Sequence, residues 1–558
     1  MQVVTAELIH LDGELQRGCC VVLDRRSGRI LFAGPTAGAA PFRLAGAESL
    51  DLGRVALLPG MVNCHSHAFQ IGLRGRGEAG YAPEADEAGG LLAVDADDFW
   101  TWRAEMYKLV AGMDCARMRA LTEAAFREML RGGITSVGEF HYFHHAGGGG
   151  GGGGSGDGGG GARDHEFDRV VVEAAREVGI RLVLLSAFYC RGGIAPTAAA
   201  AASAEVPPPL TAAQQRFSTP TVPHYFDALD RIRAEFIDDS DSDSSSHSRL
   251  LTLGVVAHSV RAASAAEIEE LGAGALARGL PMHMHLEEQP KEIADCRAAT
   301  GRTPLQLVMP TAARLGGRFT AVHCTHSSAA DLDALVGHGA NVCVCPLTEG
   351  CLGDGLPRLE SCGPHLCLGS DCNARVCLAE EMRWLEYGQR LKHCRRGMIV
   401  APRQGRGDAA QELFRCATTS GARSLGIDAG AIERGRLADL FTIDLDAPAL
   451  APVRAAAAGG GGGGGGDLAG VLLPAFVFGC AASEVVRDVC VGGRWRVRAG
   501  AVVVLATAAA HEARPPANNG TRAGLAEAQA LGRRCACTAV VAFGAASLLA
   551  AACREDYA

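Results

Sequence analysis

Two histidines placed two residues apart, His65 and His67, are the side chains of this chain best suited to chemistry. They follow an apolar run that ends at Leu58, and Pro59 and Gly60 turn the backbone before them. On an extended strand, residues two apart project to the same side, so the two imidazoles would lie next to each other. Neighbouring imidazoles share a divalent metal more easily than they both accept a proton. Because His-x-His also occurs by chance, the motif alone leaves a metal site and a chance pair equally open.

Further polar clusters stand at the ends of three later apolar runs. His285 ends the run 281–285 and Glu288 follows it, His323 ends the run 320–323, and Asp371 follows the run 365–368. A lone histidine in such a place is more often hydrogen-bonded structure than a ligand. A barrel of parallel strands, however, brings the carboxyl ends of all its strands to one rim. Three imidazoles and one carboxylate there suit Zn²⁺ with water at an open position, so the joint pattern predicts a hydrolytic metal site.

The elements that must position these residues alternate between strand and helix. Between residues 57 and 425, apolar runs of strand length are separated by segments with helical periodicity, such as 115–131, 265–278 and 380–393. This alternation, with close to eight strands, predicts an α/β fold of the (β/α)8 TIM-barrel class. Short strands return at both ends of the chain. We expect residues 1–56 and 426–505 to build one small flanking β-sandwich beside the barrel.

Four low-complexity inserts and a C-terminal extension lie outside this pattern. The inserts are rich in Gly, Ala and Pro, or Asp and Ser, and they are predicted to be disordered surface loops, at residues 147–161, 197–209, 238–248 and 455–466. The extension covers residues 506–558. Its apolar segment 535–552 has the shortest length that could span a bilayer, so a tail anchor stays open, although a helix packed on the body is favoured.

Composition narrows the class of partner and the compartment. The 558 residues are 48% hydrophobic and 21% charged, which is ordinary for a soluble enzyme. The formal charge of −9 and the absence of a long basic run argue against nucleic acid as a partner. The 21 cysteines show no disulfide-like framework, and no secretory leader is recognisable at the N-terminus. We therefore expect a cytoplasmic protein with reduced thiols, and no membrane partner.

The metal motif and its neighbours resemble the amidohydrolase superfamily, and within it the mononuclear deaminase branch. No lysine on the fourth strand could carry the bridging carbamate of the binuclear branch. The resemblance narrows to the formimidoylglutamate deiminase family through long motifs at residues 65–70, 99–107, 139–145, 258–262, 285–289, 345–349, 352–355 and 383–391. It spans residues 3 to 503. Val260, where the family has Leu, and Glu287, where it has a small residue, depart from the pattern without touching the expected chemistry.

The resemblance implies a metal site and a proton-transfer set. One Zn²⁺ per chain is expected on His65, His67, His285 and Asp371. Asp371 would also accept the proton of the attacking water. Glu288 would protonate the departing nitrogen, and His323 would polarise the water and stabilise the tetrahedral intermediate.

The implied substrate is small and anionic, N-formimidoyl-L-glutamate, an intermediate of L-histidine breakdown. Its contacts are expected at Gln70, Arg103, Tyr142, His258 and Arg261. An arginine fork pairs with a carboxylate through two bonds, which suits this substrate. Alternatives are a deaminase of guanine or adenosine-like bases, and an inactive barrel that serves as a scaffold. A formamide-releasing hydrolase would need Asp-rich dimanganese motifs, which do not occur here. Relatives suggest a homodimer.

Overall fold

Eight parallel strands form the central sheet, and they are neighbours in the order in which they occur along the chain. The computed structural model describes residues 1–76, 99–146, 165–194, 208–238, 250–360, 362–400, 408–458 and 468–503. Nearly every residue of the eight strands is buried, because helices cover the outside and side chains fill the inside. The strands are Met61–Ser66, Ile134–His141, Arg181–Phe188, Leu251–Ala257, Met282–Leu286, Phe319–His323, Asn341–Val344 and Leu366–Leu368.

The first and last of these strands meet at their carboxyl ends. Ser66 forms a parallel bridge with Asp371. The carbonyl oxygen of His65 accepts hydrogen bonds from the backbone N–H groups of Ser370 (2.9 Å) and Asp371 (3.0 Å). The eight-stranded sheet therefore curls until its edges are joined, and the predicted TIM barrel is confirmed. We call this junction the seam.

Helices connect the strands and cover the barrel. Their ends follow ordinary capping chemistry. Before the helix Ala265–Arg278, the Ser264 side chain accepts from the Glu267 N–H while Glu267 accepts from the Ser264 N–H, and the helix stops at Gly279 with φ +66°. The helices of the barrel region are Phe99–Ala111, Cys115–Arg131, Glu166–Val178, Ala212–Gln215, Val222–Arg233, Ala265–Arg278, Pro290–Thr300, Pro304–Leu315, Ala329–Gly337, Pro346–Leu352, Leu378–His393, Ala409–Cys416 and Thr419–Ser424.

Strands from both ends of the chain form two further sheets. The four-stranded sheet contains, in spatial order, Arg29–Pro35, Cys19–Asp24, Gln2–Thr5 and Glu48–Asp51. The seven-stranded sheet contains Ala501–Val502, Arg494–Arg498, Val486–Val491, Leu440–Asp444, Val55–Pro59, Leu8–Leu11 and Glu14–Gln16. The flanking β unit shared by both chain ends is thus confirmed. The division of the chain into domains at residues 56 and 426 stays a prediction, and the pairing of Val55–Pro59 with Leu440–Asp444 favours a first boundary at Gly60.

A buried ion pair joins the barrel to these sheets. Arg181, at the start of the third barrel strand, donates to both carboxylate oxygens of Asp439, at 2.6 and 3.0 Å. The backbone N–H of Gly492 donates to the same carboxylate at 2.7 Å. Asp439 immediately precedes the strand Leu440–Asp444. The pair is fully enclosed, so each charge depends on the other for solvation.

Two helices lie where only strands and a disordered loop were expected. Ala451–Ala458 is helical, so the predicted loop 455–466 is wrong for its first four residues. Leu468–Gly479 is a second helix, and it packs on the barrel helices Leu378–His393 and Ala409–Cys416. Its sequence is apolar on all sides, so neither a helical nor a strand period was visible in it.

Several predictions fall wholly or mostly outside the described residues. These are the C-terminal extension 506–558 with its apolar segment, and most of the four low-complexity inserts. Among the helices that are described, none has the length and apolar character needed to cross a membrane.

Candidate active site

Four histidines and one aspartate meet at the carboxyl end of the barrel. His65 Nε2 and His67 Nε2 lie 3.3 and 3.2 Å from Asp371 Oδ1. His285 Nε2 lies 3.2 Å from His65 Nε2, and His323 Nε2 lies 3.8 Å from Asp371 Oδ2. One ligand atom each from His65, His285, His323 and Asp371 falls within 4.8 Å of the others. The seam explains this convergence, because it brings the first and last strands together.

The donor set fits a divalent metal ion. Two ring nitrogens that face each other at 3.2 Å, as in His65 and His285, cannot both carry a proton, whereas both can bind one cation. His67 Nδ1 lies 2.8 Å from the Phe140 carbonyl oxygen, so it donates there and leaves Nε2 with a free lone pair. The sequence prediction used His67 as a ligand and gave His323 a catalytic role. His67 Nε2 lies closer to Asp371 than His323 Nε2 does, whereas His323 belongs with His65, His285 and Asp371 to the group whose ligand atoms lie within 4.8 Å of one another.

Burial sets the protonation states of these rings. It lowers the pKa of His65 and His285, and that of His67 to about 3, so all three are neutral at pH 7. Burial also acts on His323, but the carboxylates around it, Glu288 first, raise its pKa to about 10. Neutral rings with available lone pairs are what metal binding requires.

Two glutamates, Glu288 and Glu349, flank the His323 ring. Its Nε2 lies 3.6 Å from Glu288 Oε1, and its Nδ1 lies 3.4 Å from Glu349 Oε1. Glu349 also accepts a hydrogen bond from the Cys345 N–H at 3.0 Å, which fixes its carboxylate. Burial raises the pKa of Glu288, so its protonated form is more accessible near neutrality. Glu288 and His323 are therefore placed to exchange a proton with a bound molecule. The orienting role of Glu349 was not anticipated, although its motif was recognised.

Three residues of this centre have left-handed backbone conformations, which are rare outside glycine. They are Glu287 (φ +53°), His323 (φ +72°) and Asp371 (φ +45°). Each costs about 1–3 kcal/mol and persists only where the surroundings hold it. Asp371 is held by the seam, and its carbonyl oxygen accepts from the His67 N–H at 2.9 Å. The strain lies where side chains must turn inward from the strand ends.

A cavity of about 230 Å³ opens above the cluster. All five predicted substrate contacts line it, namely Gln70, Arg103, Tyr142, His258 and Arg261. Gln70 Nε2 donates to the Tyr142 hydroxyl at 2.8 Å, and both side chains are buried. Glu288, His323 and Asp371 face the same space. The structure thus brings together the metal candidates, the proton carriers and the substrate contacts that the sequence predicted.

Comparison with known proteins assigns the family. A family model described as the amidohydrolase family matches residues 56–496. The chain is 34% identical over 451 residues to formimidoylglutamate deiminase of Pseudomonas aeruginosa, covering 80% of this chain and 85% of that protein.

The chain belongs to the amidohydrolase family.

Other relatives and solved structures are consistent with this family and with its fold. A 5-methylthioadenosine/S-adenosylhomocysteine deaminase of Halobacterium salinarum is 26% identical over 458 residues, 81% of this chain and 86% of that protein. An amidohydrolase structure from Brucella melitensis superposes with a TM-score of 0.67 at 26% identity, over 90% of this chain and 96% of its own. An adenosine deaminase of Xanthomonas campestris with bound zinc, at 22% identity, shares the fold with a TM-score of 0.64, over 91% of this chain and 95% of that one. The protein is therefore an amidohydrolase, which is a hydrolase that acts on carbon–nitrogen bonds. Its relatives include the deiminase and the deaminases named above.

The two arginines of this amidohydrolase are held differently. Arg261 Nε lies 3.2 Å from Glu292 Oε1, and its Nη2 lies 3.7 Å from Glu288 Oε2. Arg103 Nε donates to the Tyr107 hydroxyl at 2.8 Å, one helical turn further along. Sequence reasoning missed Glu292 and Tyr107. Tyr107 stands four residues after Arg103 on the helix Phe99–Ala111, and this spacing could have revealed it. Glu292 pairs with Arg261 from a distant part of the chain, which no local spacing reveals.

Aromatic side chains form part of the cavity wall. Phe99 and Trp102 are buried, and both line the cavity. The Arg261 guanidinium carbon lies 5.6 Å from the centre of the Phe99 ring, within range of a cation–π contact. The cavity of this amidohydrolase thus combines cations with apolar walls.

Proposed function

We propose that this amidohydrolase converts N-formimidoyl-L-glutamate and water into N-formyl-L-glutamate and ammonia, as a step of L-histidine degradation. The observation that carries the proposal is a cavity that joins a His/Asp cluster to two guanidinium groups, Arg103 and Arg261. The substrate has the matching parts, a formimidoyl carbon and two carboxylates. The 34% identity to formimidoylglutamate deiminase supports the same assignment.

We propose one zinc ion per chain, held by His65, His67, His285 and Asp371. When bound there, it would lower the pKa of a water ligand towards 7 and polarise the substrate. The imidazole and carboxylate donors suit zinc, and a metal analysis of the purified enzyme tests the identity of the ion.

The protein groups then carry the proton transfers. Asp371 takes a proton from the water as the water oxygen bonds to the formimidoyl carbon. Glu288 protonates the imino nitrogen during this addition, which gives a tetrahedral intermediate with an amino group. The proton held by Asp371 then passes to that amino nitrogen, the hydroxyl of the intermediate returns a proton to Glu288 as the carbonyl forms, and the carbon–nitrogen bond breaks with ammonia as the leaving group. His323, whose pKa the neighbouring acidic side chains raise to about 10, stabilises the oxygen that gains charge in the tetrahedral intermediate. The N-formyl group remains on glutamate, and the proton from water replaces the one that Glu288 gave up.

The deciding experiment is ammonia release from N-formimidoyl-L-glutamate by the purified full-length enzyme. S-adenosylhomocysteine and guanine serve as comparison substrates. Arg261→Ala should lower kcat/KM about 10- to 100-fold, chiefly through KM, because a charge-assisted contact of about 1.5–3 kcal/mol is lost. Arg297→Ala, on an exposed face of the adjacent helix, is the matched control and should leave kcat/KM unchanged. Ammonia from the purine substrates alone would refute the assignment.

A purine-type deaminase is the second candidate. The aromatic side chains of the cavity favour it, because Phe99, Trp102, Tyr142 and Phe217 could stack on a base. Relatives named as methylthioadenosine and adenosylhomocysteine deaminases point the same way at 24–29% identity. The two arginines weigh against it, since a neutral base gains nothing from two cations.

We propose the cytoplasm as the location and a homodimer as the working form. The cysteines of the described residues are all free thiols, as a reducing compartment maintains them. Light scattering of the purified protein tests the dimer, and a fluorescent fusion of the full chain tests the location.

A further inference from the structure

A second cluster of histidines surrounds Asp168, which is fully buried in the first turn of the helix Glu166–Val178. Asp168 Oδ2 lies 2.9 Å from His144 Nδ1, 3.3 Å from His165 Nδ1 and 3.6 Å from His141 Nε2. Three rings therefore point at one carboxylate oxygen. None of these residues lines the substrate cavity formed by the described part of the chain.

The hydrogen bonds of the rings leave lone pairs directed at this point. His144 Nε2 lies 2.8 Å from the Ala187 carbonyl oxygen, so it donates there and presents Nδ1 to Asp168. A histidine that binds a metal through one nitrogen commonly donates its other N–H to a carbonyl in this way. His141 Nε2 and His165 Nδ1 make no hydrogen bond of normal geometry within the described residues, and their side chains are only 1% and 10% exposed. Buried polar atoms without partners are costly, and a shared cation would satisfy them.

The spacing also fits a metal ion. A tetrahedral zinc site with bonds of about 2.0–2.1 Å separates its ligand atoms by about 3.3 Å. The separations around Asp168 range from 2.9 to 3.6 Å. In the active site the corresponding values for His65 and His67 against Asp371 are 3.3 and 3.2 Å. One ligand atom each from His141, His144 and Asp168 lies within 4.8 Å of the others. His165 is not part of this group of three, although its Nδ1 lies 3.3 Å from Asp168 Oδ2.

We propose that His141, His144, Asp168 and His165 bind a second divalent cation, of the zinc type, outside the active site. The His165 side chain is 10% exposed, which gives the ion a way in from the surface. The cation would join the end of the second barrel strand, the third strand through Ala187, and the start of the helix. Its role is structural, because no group of the cavity touches it.

The second site has a consequence for the substrate cavity. His141 directly precedes Tyr142, and successive residues of an extended chain face opposite sides. Tyr142 faces the cavity, where its hydroxyl accepts a hydrogen bond from Gln70. The cation would hold the backbone behind Tyr142, so the histidines act as positioning residues for a substrate contact. This inference holds for any substrate of the enzyme.

The competing explanation is that His144 is protonated and that no metal ion binds at this cluster. Both nitrogens of His144 face acceptors, namely Asp168 and the Ala187 carbonyl, so an imidazolium could neutralise the carboxylate alone. The two explanations differ in metal content, which makes them separable by measurement.

The experiment removes the active-site ligands and counts the metal that remains. Full-length His65→Ala/Asp371→Asn protein is loaded with Zn²⁺, passed over a chelating resin and analysed by mass spectrometry. We expect about one equivalent of zinc, against about two in the unaltered enzyme. Adding His141→Gln should reduce the content to near zero. Adding His338→Gln, at an exposed histidine, should leave it unchanged. A folded double variant without zinc would overturn the proposal.

Two further measurements remain decisive if His141→Gln fails to fold. Cobalt bound to the double variant should show the visible absorption of a tetrahedral N/O site, and its absence would overturn the proposal. In the otherwise unaltered enzyme, Asp168→Asn should raise KM several-fold more than it lowers kcat, because Tyr142 shifts while the active-site metal stays. If KM and total zinc were both unchanged, the proposal would be wrong, and a protonated His144 would neutralise Asp168 without a metal ion.

Discussion

Gly369 lies at the seam, between the last barrel strand and Asp371, and has no room for a side chain. A Cβ atom there would stand 2.6 Å from His65 Cβ, 2.9 Å from the His65 carbonyl oxygen and 2.9 Å from Cys345 Sγ. The backbone of Gly369 does not adopt a left-handed conformation, so Gly369→Ala would act through steric contact alone. Ordinary contact begins at 3.4 Å, so His65 would have to move by about 0.8 Å.

The size of the effect follows from this displacement. Overpacking of this kind costs about 1–3 kcal/mol of folding free energy. Catalytic groups must stay within about 0.5 Å of their working positions, and a misplacement of about 1 Å can cost about 100-fold in rate. We therefore expect Gly369→Ala to lower kcat/KM about 100-fold. Zinc content should fall with it, because His65 carries both a candidate ligand atom and the carbonyl oxygen of the seam.

The assay compares Gly369→Ala with Gly337→Ala, using ammonia release, zinc content and thermal unfolding. Gly337 ends an exposed helix and has no atom within 4 Å of a built Cβ. Alanine there should be neutral or stabilising by up to about 1 kcal/mol. If Gly369→Ala kept full activity and full zinc, the seam would not control the metal site, and our account of how the barrel positions His65 would be wrong.

Two other substitutions test the proton donor and the buried ion pair. Glu288→Gln removes the proposed donor, so kcat should fall about 10²- to 10⁴-fold with little change in KM; the exposed Glu270→Gln should behave as the unaltered enzyme, and an active Glu288→Gln would exclude the role. Asp439→Asn leaves the buried Arg181 charge uncompensated and should cost about 3–5 kcal/mol of stability, measured by urea unfolding. Asp446→Asn, in an exposed pair, should not shift the transition, and equal effects of the two would contradict the burial argument.

Most of the fold was predictable because strands and helices alternate with regular spacing. The same pattern predicted much of the site, since His65, His285, His323 and Asp371 each follow an apolar run. A barrel rim requires such residues to converge, and the structure places them within 4.8 Å. Local sequence and global topology agree here, and the predicted barrel is confirmed, whereas the roles of the site residues stay predictions.

What escaped prediction depends on contacts between distant segments. The helix Leu468–Gly479 is apolar throughout, so only its packing on other helices reveals it. Arg261 lies in the loop after the fourth barrel strand, and Glu292 lies in the helix after the fifth, so their pairing depends on two separate segments. The left-handed backbone of His323 and Asp371 cannot be predicted from residue type, because few non-glycine residues adopt it, although Asp and His do so more often than most.

The seam also dictates when the enzyme can become complete during synthesis. His65 leaves the ribosome some three hundred residues before Asp371, and the strand Val55–Pro59 must wait longer still for Leu440–Asp444. Until then the early strands have an unpaired edge, and the histidines of the site lack the Asp371 carboxylate. A nascent chain halted before residue 371 can therefore hold neither a finished barrel nor the full ligand set. If the chain were made as two fragments divided between His65 and Asp371, the barrel and the ligand set would be complete only after the fragments assembled with each other.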